Sequence, residues 1–259
     1  MLIGDSSAAA KTSGTAPKAS VHPVIGRTAT SPSGGAAPAG HASPFHFGDS
    51  AQHRPLVAIA SGPRDALHTV VVVGCIHGNE TAGVPIVRAL RRRPALRHVR
   101  IWTIECVNPE GRVAGTRQNA RQVDLNRNFP YRWRAEGAPG DVYYPGRRAA
   151  SEPETRAVVQ LVRALRPDLT IWYHQHLDLV DRPGGRRRNA LAAQYARASG
   201  LRLRTLQRYH GSVTSWENHT LPAGTAFVVE LAAGRLSARD VERHVAAVRL
   251  LARVLQRQP

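Results

Sequence analysis

The chain has 259 residues, of which 42% are hydrophobic, and this is enough for one sizeable α/β domain but short for two. The formal net charge of +18 comes with no zinc-finger spacing, aromatic RNA-binding motif or basic leucine-zipper pattern, so we expect no nucleic-acid ligand. No apolar stretch approaches the ~20 residues of a membrane helix, and no signal peptide is visible. The chain as it stands is therefore expected in the cytoplasm, or in the cell envelope or outside the cell if an export signal is missing.

An N-terminal tail is predicted over residues 1–50, where Ala, Ser, Gly, Pro and Thr dominate. Such a composition cannot bury enough apolar surface to offset the conformational entropy lost on ordering, so we expect the tail to be disordered. The folded domain is then expected to occupy residues 51–259.

Beyond residue 54, apolar runs typical of strands alternate with segments that carry apolar residues at helical spacing. Strands are predicted at 54–60, 69–75, 99–107, 169–174 and 225–231. Helices are predicted at 81–93, from Ser151 onward, at 189–198 and from Ser237 to 258. This alternation predicts an α/β fold, a single domain with a mostly parallel or mixed central sheet flanked by helices.

Capping patterns and a long polar region mark the middle of the chain. Ser151 and Glu154 form a capping-box pattern, and Ser237 is a suitable N-cap for the last helix. Residues 108–150 are rich in Asn, Gly, Arg and Pro and are predicted to form a long loop region. Loops of this length are uncommon unless they are functional.

The two cysteines, Cys75 and Cys106, both lie in apolar runs that are predicted to be strands. They are interpreted either as buried thiols that pack as small hydrophobic residues or as a disulfide between neighbouring strand ends. Pairing depends on geometry that the sequence does not contain, so both interpretations stay open.

A possible metal-binding turn follows the first core strand, at residues 74–80. His77 and Glu80 are separated by two residues, and the adjacent glycines permit a tight turn that brings both side chains to one point. Imidazole and carboxylate are zinc ligands, and a catalytic zinc takes three protein ligands and keeps one position open. The alternative is a solvated helix start, where a Glu is favoured by the helix dipole.

Polar residues are also dense at 108–111, 115–119 and 123–130, where Asn, Asp, Gly and Arg recur. These segments are interpreted either as an anion-binding site or as ordinary turn chemistry, since the same residues favour turns.

These segments, in this order, resemble the zinc carboxypeptidase family, also called funnelins, over about residues 54–256. The resemblance rests on His77-x-x-Glu80, on residues 124–129 (Asp-Leu-Asn-Arg-Asn-Phe), on residues 151–155 (Ser-Glu-Pro-Glu-Thr) and on Glu230 near the end of a late strand. It implies a carboxypeptidase-like fold and one Zn²⁺ per chain. The ligands that it implies are His77, Glu80 and His174.

The resemblance also implies roles for residues around the metal. Glu230 would act as general base on zinc-activated water, and Arg117 would stabilise the oxyanion. Asn126 and Arg127 would bind the terminal carboxylate of the substrate, which a guanidinium can hold with two parallel hydrogen bonds. Tyr209 is a loose match to a mobile tyrosine of the family and is expected to contact the substrate.

The chain departs from the family pattern after His174, where Gln175-His176 replaces a pair whose second residue is usually proline. His176 is therefore an alternative third ligand. Strand alternation would allow only one of the pair Gln175-His176 to share the orientation of His174, or both if the strand ends there. We favour His174.

Within the family, the compact length and the Gly-Asn-Glu and Gly-Thr-Arg segments resemble bacterial murein peptide amidases, which act on peptidoglycan stem peptides. The resemblance implies a monomer that hydrolyses a peptide bond next to a free C-terminal carboxylate. One alternative is an N-acyl amino acid deacylase of the aspartoacylase type, which shares the His-Gly-Asn-Glu and Asp-Leu-Asn-Arg segments. The other is a non-catalytic basic module that binds an anionic cell-wall polymer.

Overall fold

The computed structural model describes residues 44–257. Within this range the strands are β1 (Pro44–Asp49), β2 (Pro55–Ser61), β3 (His68–Val73), β4 (Val99–Ile104), β5 (Leu169–Gln175), β6 (Leu179–Asp181), β7 (Arg202–Arg204) and β8 (Thr225–Leu231). The helices are α1 (Gly83–Arg91), α2 (Pro109–Ala114), α3 (Pro153–Leu165), α4 (Arg186–Ser199), α5 (Val213–Thr220) and α6 (Ala238–Gln256). A 3₁₀ turn at Leu125–Arg127 lies between α2 and α3.

The strands form one mixed sheet in the order β1-β2-β4-β3-β5-β8-β6-β7. Its centre, β4-β3-β5-β8, is entirely parallel. Strand β2 is antiparallel to both β1 and β4, and β6 is antiparallel to β8. The predicted α/β fold with a mixed central sheet is confirmed. The carboxyl ends of β3, β5 and β8 therefore meet at one edge, where open α/β sheets bind their ligands.

Two apolar clusters, one on each face of the sheet, explain the continuous apolar run of β3. Val70 and Val72 belong to the cluster that also contains side chains of α1, α4 and α6. Val71 and Val73 belong to the cluster that contains side chains of α3 and α5. A central parallel strand is covered on both faces, so successive side chains are all apolar. The same reasoning applies to β5 and β8.

Strand β1 lies in the segment that was predicted to be a disordered tail, so the folded domain begins earlier than residue 51. The strand pairs with β2 at the edge of the sheet. It also approaches α3 closely, because a Cβ added at Gly48 would lie 2.6 Å from the Cβ of Ala157. Most residues of β1 are exposed, so the strand has no buried apolar pattern by which the sequence could predict it. The remainder of the predicted tail, residues 1–43, lies outside the described residues.

The two predicted helix caps have different outcomes. Ser237 caps α6 in a full capping box with Asp240, as predicted. The predicted cap at Ser151 is wrong, because Glu152 is the N-cap residue of α3 and no side chain caps its backbone. The hydroxyl of Ser151 donates instead to the Glu152 carboxylate at 2.8 Å.

The remaining differences concern short elements and the cysteines. Helices α2 and α5 and strands β6 and β7 were not predicted, because they are too short to show periodicity. Helix α4 starts at Arg186, three residues before its predicted start. Cys75 and Cys106 are free thiols, of which Cys75 is buried and Cys106 only partly buried, and both lie two residues beyond the strands to which they were assigned. Among the described residues, no helix has both the length and the apolarity required to cross a bilayer.

Candidate metal centre and active site

The candidate site lies at the carboxyl edge of the central strands. His174 is close to the end of β5, and its Cα pairs with that of Glu230 on β8. His77 and Glu80 lie in the turn that follows β3, the other neighbour of β5. Three adjacent parallel strands therefore deliver these four side chains to one place.

The turn after β3 depends on Gly78. A Cβ added at Gly78 would lie only 1.9 Å from the carbonyl carbon of Gly111 in α2, so no other residue fits there. The amide of Glu80 donates to the carbonyl of His77 at 3.0 Å and closes the turn. This close packing of two backbones holds His77 and Glu80 beside the loop that follows α2.

His77, Glu80 and His174 each offer one donor atom, and these atoms all lie within 4.8 Å of one another. Glu80 lies between the histidines, with Oε1 2.9 Å from His77 Nδ1 and Oε2 2.9 Å from His174 Nδ1. All three side chains are buried. No other group of three such ligands is present within residues 44–257.

The donor set fits a zinc ion. His77 Nδ1 is buried and has no hydrogen-bond partner, although Glu80 is close, and buried nitrogens are seldom left in this state. Burial alone would raise the pKa of Glu80, but the neighbouring His174 and His77 imidazoles hold that pKa well below its usual range. The carboxylate is thus ionised, as a metal ligand must be. Two imidazoles with one carboxylate form a known catalytic zinc set.

Asp124 connects the metal ligands to the arginine that lies beside them. Its Oδ1 accepts a hydrogen bond from His77 Nε2 at 3.0 Å, and its Oδ2 accepts two from Arg117 at 2.9 and 3.0 Å. Burial opposes ionisation of Asp124, but His77 and Arg117 lower its pKa far below the usual value. Sequence reasoning gave this residue no role of its own, although it opens the Asp-Leu-Asn-Arg segment.

Asp124→Asn is expected to weaken zinc binding about 10- to 100-fold, the usual cost of losing a carboxylate that orients a metal-bound histidine. The substitution keeps the shape of the side chain but removes the charge that faces His77 and Arg117. Zinc affinity is measured by competition with a chromophoric chelator. The control is Asp168→Asn, whose carboxylate accepts a bond from the Thr69 amide away from the cavity. Equal affinities for both variants and the wild type would show that Asp124 does not orient the ligand.

All eight residues predicted for the site line one open cavity of about 640 Å³. These are His77, Glu80, Arg117, Asn126, Arg127, His174, Tyr209 and Glu230. The structure thus brings together side chains from β5, β8, three loops and the 3₁₀ turn. His176, the alternative ligand, also lines the cavity but is exposed and lies outside the group of close donors. The functional roles of these residues stay predictions.

The two arginines of the predicted site have different surroundings. Arg117 forms ion pairs with Asp124 and with Glu80. Arg127 is only 7% exposed, and its guanidinium donates to the carbonyl of Asn126 at 2.9 Å. Within the described range no carboxylate lies within ion-pair distance of Arg127. Burial lowers the pKa of Arg127, but the guanidinium remains a cation.

Asn126 and Glu230 complete the wall of the cavity. The Oδ1 atom of Asn126 accepts a bond from the amide of Val213 at 2.9 Å, which fixes the side-chain amide. Glu230 has one carboxylate oxygen, Oε2, that is buried and lacks a hydrogen-bond partner. Burial raises the pKa of Glu230, which is consistent with its predicted role as general base.

The model of the zinc carboxypeptidase family, peptidase M14, matches residues 39–235. The chain belongs to the zinc carboxypeptidase family. Its membership confirms the family predicted from the sequence and makes the chain a hydrolytic enzyme rather than a non-catalytic binding module. The family is zinc-dependent, and the His77–Glu80–His174 group is the candidate site for the metal.

Among similar proteins, this carboxypeptidase-family chain is 33% identical to murein peptide amidase A of Escherichia coli (strain K12) over 186 residues, or 66% of this chain and 74% of that protein. It is 30% identical to carboxypeptidase Z of Rattus norvegicus over 166 residues, which cover 48% and 25% of the two chains. The crystal structure of murein-tripeptide amidase from Escherichia coli O157 superposes with a TM-score of 0.64 at 28% identity, covering 83% of this chain and 92% of that one. Thrombin-activatable fibrinolysis inhibitor, at 18% identity and a TM-score of 0.72, shares the fold over 84% and 70%.

Proposed function

We propose that this protein is a zinc-dependent peptidase that hydrolyses the amide bond next to a free carboxylate, with peptidoglycan stem peptides as its substrate class. The observation that supports this most is Arg127, a buried cation in the cavity of the metal ligands that has no acidic partner among residues 44–257. By contrast, the other cavity arginines are neutralised, Arg117 by Asp124 and Glu80 and Arg208 by Asp181. A buried cation without an acidic partner is costly, so a substrate carboxylate is the partner that would complete its pairing.

The metal site, Glu230 and Arg117 each have a different role in the proposed hydrolysis. His77, Glu80 and His174 would hold a zinc ion, and that ion would act as a Lewis acid that lowers the pKa of bound water and polarises a carbonyl. Glu230 takes the proton from the attacking water and returns it to the leaving amine. Arg117 offers a fixed positive charge to the oxygen on which negative charge develops.

Arg127 and Asn126 set the position of the substrate. A carboxylate bound by the Arg127 guanidinium would be held at the cavity wall, and the fixed Asn126 amide would donate to it. The scissile amide would then lie between this wall and Glu230. The murein peptide amidases among the relatives support stem peptides as the substrate class.

Masking the substrate carboxylate as a neutral amide is expected to lower kcat/KM about 10- to 100-fold, because a charge-assisted hydrogen bond contributes roughly 1.5–3 kcal/mol. Arg127→Ala should cause a similar loss on the free acid but little further loss on the masked substrate, because both changes delete the same contact. The measurement is steady-state kinetics on a stem peptide with a free or an amidated terminus.

Exposed Arg134, which lies outside the cavity, provides the matched control as Arg134→Ala. Equal cleavage of free and masked substrates by the wild type would exclude an exopeptidase. N-acyl amino acids also carry a free carboxylate, so they are assayed in parallel. Preferential cleavage of these compounds would assign the site to the deacylase class, and we expect the peptide to be preferred.

A further inference from the structure

Tyr143 contacts both arginines of the cavity, although sequence analysis gave it no role. Its ring centroid lies 5.3 Å from Cζ of Arg117 and 5.1 Å from Cζ of Arg127. Both distances fall within the range of cation–π attraction. One aromatic ring thus contacts both Arg117, which is predicted to stabilise the oxyanion, and Arg127, which is predicted to bind the substrate carboxylate.

Tyr209 adds a second ring to the same group. Its centroid lies 4.1 Å from Cζ of Arg127, and it stacks on Tyr143 with centroids 6.2 Å apart and planes inclined by 20°. Arg127 therefore contacts two aromatic rings, whereas Arg117 is held mainly by the carboxylates of Asp124 and Glu80. The orientation of the Arg127 guanidinium depends on the Asn126 carbonyl and on these two rings.

The loop that carries Tyr143 is held by its neighbours and not by Tyr143 itself. The carbonyl of Tyr144 accepts from the Asp124 amide at 2.8 Å, and the carbonyl of Pro145 accepts from Asn128 Nδ2 at 2.7 Å. Tyr144 is buried, but the side chain of Tyr143 is 55% exposed. An exposed ring contributes little to the core, so its contacts with the two cations are its main structural role.

We propose that Tyr143 is a positioning residue that holds the Arg127 guanidinium in a fixed relation to Arg117, so that a carboxylate bound at Arg127 places the scissile amide beside Arg117 and Glu230. This inference rests on the proposed function. It assigns Tyr143 no contact with the reacting atoms, because it acts through the two arginines.

The test compares Tyr143→Phe, Tyr143→Leu and Tyr143→Ala in the zinc-loaded full chain. Phe keeps the π face and should retain most of kcat/KM for a free-carboxylate stem peptide. Leu and Ala remove the π face and should lower kcat/KM roughly 5- to 30-fold, mainly through KM, as expected for loss of a partly desolvated cation–π contact. In the Arg127→Ala background, Tyr143→Ala should have little further effect.

Val142 offers a matched control, because it is equally exposed, adjacent in sequence and outside the cavity lining. Val142→Ala should leave activity, zinc content and Tm unchanged. Equal kinetics for Tyr143→Ala and the wild type would overturn the inference. So would a loss in Tyr143→Phe as large as in Tyr143→Ala, or a loss that follows Tm or zinc content.

A binding measurement separates this inference from the proposed function. The two products of cleavage, the shortened stem peptide and the released amino acid, are each titrated calorimetrically into the wild type and the three variants. If the wild type binds the released amino acid but cleaves no peptide, the proposed function is wrong, and the ratio of affinities in the Phe and Ala variants still decides the role of Tyr143. If the wild type binds neither product nor cleaves peptide, both proposals are wrong.

Discussion

Glu230→Gln is expected to lower turnover by about 10²- to 10⁴-fold, the contribution that a general base usually makes. Glutamine keeps the size of the side chain and its capacity for hydrogen bonding, but it cannot accept a proton at neutral pH. The metal ligands are unchanged, so zinc content and Tm should equal those of the wild type. Steady-state kinetics with metal analysis on the same preparation provide the measurement.

Glu217 supplies a matched control for this experiment. It is a glutamate that is more deeply buried than Glu230, its pKa is raised by burial to about 7, and it accepts a bond from the Trp172 indole at 2.6 Å outside the cavity. Glu217→Gln makes the same chemical change at a glutamate outside the cavity and should leave turnover unchanged. Near-normal turnover in Glu230→Gln would remove this residue from the mechanism. Loss of zinc in that variant would show that Glu230 contributes to metal binding instead.

His174→Ala is expected to reduce zinc content from about one ion per chain to near zero after dialysis, because a catalytic zinc site has only three protein ligands. Activity should disappear with the metal. Mass spectrometry of the metal content measures the first effect, and addition of excess zinc tests whether activity returns. His77→Ala and Glu80→Ala should behave in the same way.

His176→Ala is the control, since this histidine lies two residues away, lines the same cavity and is exposed. It should keep its zinc. The opposite result, with His174→Ala fully loaded and His176→Ala empty, would transfer the third ligand to His176. Full loading of both variants would contradict the site itself.

The sequence predicts the central part of the fold well because burial leaves a clear pattern there. Strands β3, β5 and β8 are covered on both faces and appear as continuous apolar runs. The polar residues at their carboxyl ends interrupt these runs, so His174 and Glu230 are conspicuous. The choice between His174 and His176 follows from the end of β5 at Gln175, which the sequence leaves open.

The positions of the loop residues are not predictable in the same way. Residues 108–150 are placed by contacts between side chains and distant backbone atoms, such as Asn128 Nδ2 with the carbonyls of Pro145 and Arg148. Such bonds have no periodic signature along the chain. The orienting role of Asp124 and the placement of Tyr143 over two arginines therefore emerge only from the structure.

The order of strands has a consequence for the growing chain during synthesis. Strand β8 lies between β5 and β6, although both precede it in the sequence. A chain that has left the ribosome only as far as β7 already contains His77, Glu80 and His174 but lacks Glu230. Because β8 pairs with both β5 and β6, the sheet is complete only when β8 has been inserted between them. The growing chain thus contains the three candidate metal ligands before it contains Glu230, the predicted general base.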